Sequence, residues 1–277
     1  MKSVLAASAL FMLSASGSPT VVGTPLDMCG LRLVFQDDFR DLSISDWQLD
    51  GRRWMAHTPW RGDFGDAAFT DPGPQGPFAI GKDGLEITAR RDAAGKWRSG
   101  LIAAADASGK GTGIRYGYFE ASMRFPPGPG TWPAFWLISL QPVAESGPRV
   151  EIDAVEYYGH ATDEYHYAWH VWFKGKDEHL SRSGGGKVAV PDGALVDGFH
   201  TYGVLVEPRT TTFYLDRKAV GQAPTPPELT TPLYPLVNLA LGSGYPIDKT
   251  PDPSVLKVKY VRMYAGKPGR CDPGARK

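Results

Sequence analysis

Ten stretches of this chain are rich in β-branched, aromatic and other apolar residues, several of them alternating apolar with polar positions at a period of two. They are Leu31–Phe35, Leu85–Arg90, Tyr116–Phe125, Ala134–Ser139, Arg149–Tyr158, Tyr165–Phe173, His200–Glu207, Thr211–Leu215, Leu233–Leu241 and Leu256–Tyr264. That period sends successive side chains to opposite faces, so each stretch is predicted to be a β-strand. Turn signals separate them: Lys82-Asp-Gly84, Asp92–Gly95, Pro126–Gly130, Ser183-Gly-Gly-Gly186 and Pro246–Asp248. Helical periodicity is almost absent. The expectation is an all-β domain, a two-sheet sandwich or jelly roll. One segment resists: Trp47–Gly81 holds four prolines and six glycines with little alternation. Its Trp54, Trp60, Phe64 and Phe69 are too apolar for a disordered linker, so it is predicted to be a packed binding loop.

The strand over Arg149–Tyr158 is unusual because it carries three carboxylates, Glu151, Asp153 and Glu156. Glu151 and Asp153 share a face, whereas strict alternation sends Glu156 to the other. One surplus residue, a β-bulge at Ala154 or Val155, returns Glu156 to its companions. Three acids on one face repel one another and drive their proton affinities apart, which is how acid/base pairs are made. Two carboxyl groups flanking a sugar–sugar bond are enough to hydrolyse it; in retaining enzymes they stand about 5–5.5 Å apart. Two other readings stay open on these residues alone. The acids could form a solvated, ion-paired strand face, or a calcium site, although calcium ligands usually come from loops.

Residues nearby extend the pattern. Trp132, Ala134 and Trp136 alternate onto one face of the preceding strand, as core or as a platform for sugar rings. His166 and His170 share a face in the following strand, where one could meet Asp153 or a ligand, or be held structurally. Trp60 sits in the irregular loop and could line a cleft or pack. Asn238 is the one asparagine of the chain and lies in a strand-like run, where asparagine is disfavoured.

Composition narrows the alternatives. The 277 residues are 42% hydrophobic, enough for a large core, and Gly 33 and Pro 24 suit many tight turns. The formal net charge is zero, which gives no support to a nucleic-acid or anionic-membrane partner. Lys2, the apolar run Val4–Leu13 and small residues Ser14–Ser18 have the layout of an export signal occupying about residues 1–17. A secreted or periplasmic protein with one domain from about residue 27 to 277 is therefore expected. Cys29 and Cys271 near its two ends suggest a disulfide in that setting, or else two unrelated thiols; neither has metal-ligand spacing.

The ordered motifs resemble glycoside hydrolase family 16. Glu151-Ile-Asp-Ala-Val-Glu156 resembles the family's bulged E-x-D-x-x-E signature, and Trp132-Pro-Ala-Phe-Trp-Leu137 the strand before it. Tyr116–Phe125, Phe199–Glu207 with Thr212–Asp216, Val237–Gly242 and Val258–Tyr264 are similar to four more of its segments, in the family's order. The resemblance implies a concanavalin A-like jelly roll of two curved antiparallel sheets with a polysaccharide cleft on the concave one. It implies Glu151 as nucleophile, Glu156 as acid/base, Asp153 as the residue that orients and tunes the nucleophile, and Trp132, Trp136 and Asn238 in the cleft. Trp60 falls at a loop position that lines subsites in related enzymes, and His170 is carried with these as a candidate substrate contact. The implied activity is retaining, endo-acting hydrolysis of a β-1,3- or β-1,3/1,4-glucan or a bacterial exopolysaccharide, by a monomer without a cofactor. A transglycosylase or a non-catalytic carbohydrate-binding protein would share the scaffold. Many family members hold a structural calcium through an aspartate at the start of the closing strand; Lys259 stands there in this chain, against that expectation.

Overall fold

The computed structural model describes residues 22–269. The expected export signal and Cys271, and with it the expected bridge to Cys29, lie outside the described residues. Among those described, two large sheets carry almost all the secondary structure, and no helix is long and apolar enough to cross a membrane.

The cleft sheet has eight strands. Their order is Arg182–Ala189, Glu164–Trp172, Arg149–Glu156, Thr131–Ser139, Leu233–Leu241, Leu101–Ala103, Trp54–Ala56 and Ile44–Ser45. The covering sheet has ten, with Gly117–Arg124 and Ser254–Gly266 paired at its centre and His200–Val206 alongside. All ten strands expected from alternation are present, and the architecture is the jelly roll that the pattern suggested. Pairing is antiparallel throughout except for two short parallel pairs, Ile44–Ser45 with Trp54–Ala56 and Ala68–Phe69 with Trp97–Ser99.

Alternation explains why the sheets adhere. Phe135, Leu137, Ile152, Val155, Val237 and Leu239 point inward from the cleft sheet and are fully buried. They meet Phe119, Met123, Val204, Phe213 and Met263 from the covering sheet in one continuous core. Aromatic stacks cross the interface: Tyr167 on Phe213 at 4.3 Å, and Phe125 between Tyr157 and Tyr202 at 4.9 Å on each side. Each such side chain, fully buried, contributes about 1.5–3 kcal/mol.

One expected turn is instead a strand. Ser183-Gly-Gly-Gly186 lies within the edge strand Arg182–Ala189. The glycines are required there by what lies over them. A Cβ on Gly184 would come within 2.8 Å of the Trp169 indole, and one on Gly186 within 2.5 Å of the Tyr167 hydroxyl. The neighbouring strand's aromatic rings use the space that side chains would fill. The segment Trp47–Gly81 is also less irregular than expected, containing the short strands Trp54–Ala56, Ala68–Phe69 and Phe78–Gly81. Trp54 is fully buried, with its indole N–H donated to Asp37 at 2.8 Å.

The bulge in the acid strand lies where the acid pattern needed it. Phe135 pairs with Val155 and Trp136 with Asp153, so Ala154 has no partner of its own on that side. On the other side the register jumps between Asp153 opposite Ala168 and Glu156 opposite His166. This generates a paired prediction. Deleting Ala154 alone restores plain alternation with Glu156 still on the cleft face, and the thermal midpoint should stay within a few degrees of wild type. Deleting Ala154 and Val155 together sends Glu156 into the core. An uncompensated buried carboxylate costs several kcal/mol, so the midpoint should drop by roughly 10 °C or more. Calorimetry of the two variants checks both outcomes.

Candidate active site

With the bulge in place, Glu151, Asp153 and Glu156 share one face of the cleft sheet. Across one strand boundary they stand opposite Ile138, Trp136 and Ala134; across the other, opposite His170, Ala168 and His166. Asp153 is buried, while Glu151 and Glu156 are half-buried and reach the cleft. His170 lies over Asp153, its Nε2 3.2 Å from Oδ2. The sequence-level alternative of a plain solvated acidic face does not describe this arrangement, because the central acid is enclosed.

The clustering shifts the proton equilibria of Glu151, Glu156 and His170. Burial, reinforced by the charge of Asp153, pushes Glu151 up to about 8. The same two causes push Glu156 up to about 7, against the hydrogen bond it accepts from Tyr158. For His170, burial works to lower the pKa, but contact with Asp153 and the charges of Glu151 and Glu156 outweigh it and raise the group to about 9. The site therefore holds an imidazolium beside two glutamates that titrate near neutrality.

Each glutamate has its own donors. Glu156 Oε1 accepts from the Trp132 indole N–H and from the Tyr158 hydroxyl, both at 3.1 Å. Glu151 Oε2 accepts from the Trp172 indole N–H at 3.1 Å. In each case the second carboxyl oxygen accepts no hydrogen bond among the described residues. Trp172 also lies flat on His170, 4.9 Å away with planes 8° apart. The indole and the carboxylates thus confine the imidazolium from two sides.

The remaining expected residues sort by exposure. Trp132 is half-buried at the cleft wall and stacks on Tyr158 at 6.0 Å. Trp136 is only 6% exposed and sits between Asp153 and the irregular loop, 6.0 Å from Trp60 and 6.2 Å from Phe64. Trp60 therefore does reach the site, by closing over Trp136. Asn238 is fully buried, which departs from the expectation of a direct cleft contact. Its carboxamide oxygen accepts from Trp136 Nε1 at 2.8 Å and its nitrogen donates to the Trp132 carbonyl at 3.2 Å. Its place is behind the tryptophans, holding both.

Sequence reasoning missed three groups. Trp172 lies two residues beyond His170, so its parity already placed it on the acid face. Tyr158 stands two past Glu156 on the same reasoning. Tyr245 carries no strand signal; it comes from the turn after Leu233–Leu241 and packs on His160 at 3.7 Å, continuing the wall from Tyr158. As to metals, Glu151, Asp153 and His170 bring donor atoms within 4.8 Å of one another, the one such grouping among the described residues. His170 already supplies a positive charge there, so a cation would have to displace its proton.

Comparison with known proteins places this geometry. Residues 79–254 match the family model described as glycosyl hydrolases family 16. The chain belongs to that family. It is 29% identical over 268 residues to the endo-1,3-1,4-beta-glycanase EglC of Rhizobium meliloti (strain 1021), covering 87% of this chain and 53% of that protein. It is 38% identical over 152 residues to the endo-1,3-1,4-beta-glycanase ExsH of the same organism, covering 54% of this chain and 30% of that one. The chain thus spans about half or less of the length of these relatives. Among solved structures, the laminarinase from Rhodothermus marinus superposes with a TM-score of 0.65 at 24% identity, over 86% of this chain and 98% of that one, a likeness of fold.

The proton shifts make a stability prediction. Glu151, Glu156 and His170 all have folded pKa values raised above their unfolded ones, so the folded state binds more protons between about pH 4.5 and 9. The contribution from His170 is complete below pH 6.5 and lost as pH rises through about 9; the penalty from the two glutamates grows from pH 4.5 and is complete above about 8. The thermal midpoint should therefore fall as pH rises from 5 to 9. Glu151→Gln/Glu156→Gln should flatten that fall and raise the midpoint at pH 8, measured by calorimetry across the range.

Proposed function

We propose that this domain is a retaining, endo-acting hydrolase of a β-linked polysaccharide, with Glu151 as nucleophile and Glu156 as general acid/base. The observation that carries the reading is the asymmetric donor pattern of two glutamates on one face. Glu156 keeps Oε1 fixed by Trp132 and Tyr158 and leaves Oε2 without a hydrogen bond, so a proton carried there can pass to a departing glycosidic oxygen. Glu151 keeps Oε2 on Trp172 and leaves Oε1 for attack on the anomeric carbon.

The reaction runs in two displacements. Glu151 Oε1 forms a bond to the anomeric carbon as the bond from that carbon to the leaving oxygen breaks, and Glu156 gives that oxygen its proton. Water then attacks the same carbon, Glu156 takes a proton from it, and Glu151 is released. The productive state has Glu151 ionised and Glu156 protonated. In the free site burial and Asp153 raise, and His170 lowers, the proton affinity of both glutamates, leaving Glu151 at about 8 and Glu156 at about 7. The productive distribution is therefore reached by moving one proton from Glu151 to Glu156 when substrate binds. Trp132, Trp60 and Trp136 form the apolar wall against which sugar C–H faces pack. No cofactor enters this scheme.

The relatives' names support a β-1,3- or β-1,3/1,4-linked glycan as the substrate; a bacterial exopolysaccharide with such links is included in the proposal on its linkage chemistry alone. The leader pattern supports action outside the cytoplasm. Glu156→Gln should lower turnover of polymer by about 10²- to 10⁴-fold, yet largely spare the first displacement on an aryl glycoside whose leaving group needs no proton. Glu151→Gln should abolish both. NMR of the first-formed product of the wild type should show retained β configuration; an inverted product, or full activity in Glu151→Gln, would overturn the assignment.

A further inference from the structure

Away from the cleft, the structure holds a cavity of about 270 Å³ that the proposed chemistry does not use. Its lining includes Arg124, Phe125, Pro127, Pro251, Pro253 and Lys257. Arg124 and Lys257 are register partners on the two central strands of the covering sheet. Lys259 is the surplus residue where that register slips between Val258 and Tyr260. The Arg124 guanidinium and the Lys259 ammonium flank one ring, that of Phe199, at 5.9 and 6.0 Å. Lys257 is matched by Glu86 at 3.0 Å, but Arg124 and Lys259 form no ion pair among the described residues.

This cluster does not fit a calcium ion. Calcium takes six to eight oxygen ligands, whereas the position where the family resemblance puts an aspartate is Lys259, beside a half-buried Arg124. The charge requirement is inverted: an anion is favoured where a cation was expected. A half-buried guanidinium without a carboxylate presents a planar fork that matches a carboxylate in two parallel hydrogen bonds. Three prolines of the lining offer apolar faces of the kind that pack on sugar rings, while Phe199 and Lys259 stand beside the cavity, next to Arg124, rather than in its lining.

We infer that this cavity is a second carbohydrate site, one that takes a carboxylate-bearing sugar of an acidic polysaccharide. Its position suits an auxiliary anchor. Pro127 belongs to the loop that leads into Trp132, and Pro251 to the one that carries Tyr245. Thr250 Oγ1 donates to the Pro129 carbonyl at 2.9 Å and ties the two loops together. The cavity thus lies at the same end of the sandwich as the Trp132–Tyr158–Tyr245 wall. A polymer held at both places would be retained by effective concentration rather than by any single tight contact.

The test reads binding alone, in the Glu151→Gln background so that no chain is cut, and stands whether or not the hydrolase reading holds. Isothermal titration would use glucuronic acid oligomers, neutral β-glucan oligomers of matched length, and inorganic phosphate. At low salt, where charges are least screened, the glucuronate oligomer should bind at least about fivefold more tightly than the neutral one. Arg124→Gln/Lys259→Gln should lose that advantage and leave neutral-glucan binding unchanged. Lys259→Gln alone, at an exposed position, should lose part of it, which guards against misfolding of the double variant. Equal affinity for the two oligomers, or an unchanged advantage in the double variant, overturns the site. Phosphate bound as tightly as the oligomer overturns its assignment to sugar.

Discussion

The constraint on which the site depends is the parity of a single strand. A strand offers one face to the core and one to the cleft, and a carboxylate on the wrong face is a buried charge. Ala154 breaks the parity once, between Asp153 and Glu156, and the break is accommodated on both sides by neighbouring strands whose ladders remain intact elsewhere. Because Val155 stays in the core opposite Phe135, the two sheets do not register the slip. The cost is local, and the gain is a third acid at the floor of the cleft.

Placing three carboxylates together would itself be unfavourable, and the surroundings are arranged around that fact. His170 and its covering indole offset the charge of Asp153 and Glu151, while separate donors fix one oxygen of each glutamate. The result distinguishes two residues of identical chemistry. Glu156 is held by a phenol and an indole on one side of the bulge; Glu151 shares its neighbourhood with an imidazolium on the other. The different roles proposed for them rest on these neighbours rather than on the carboxylates themselves, as expected where one fold must supply acid and base at the same pH.

Much of this was legible in the sequence, for identifiable reasons. Alternation located the ten long strands and, with one inserted residue, the face of every acid. The same parity put His170 beside the acid strand and would have found Trp172 and Tyr158 had it been carried two residues further. What period two does not encode was not legible. The triple glycine at 184–186 reads as a turn because its reason for being glycine lies on the next strand, in the rings of Tyr167 and Trp169. The family resemblance and the rarity of asparagine in strands put Asn238 in the cleft; only the fold shows its carboxamide buried behind Trp136 and Trp132. Tyr245 enters from a turn whose path depends on Gly242, Ser243 and Gly244, all in the left-handed region, and no local pattern predicts where such a turn delivers its side chain.

The irregular segment that closes the cleft shows how selectivity can rest on a loop and still be rigid. His57 and Arg61 have φ of 70° and 56°, conformations that cost a non-glycine residue about 1–2 kcal/mol each. Such strain persists only where surrounding contacts over-determine it. Here they do. His57 lies flat on Trp47 at 3.9 Å and 4°, Arg61 approaches the same indole at 5.2 Å, and His57 Nε2 meets Asp71 Oδ1 at 2.7 Å. Thr58 Oγ1 both donates to the Gly62 carbonyl and accepts from its N–H. Trp60 lies inside this clamp, so the angle at which it meets Trp136 is set before any ligand arrives. A loop held this way excludes a sugar by shape at little entropic cost on binding. Changes to Trp47 would alter the cleft through Trp60 although Trp47 itself lies outside it.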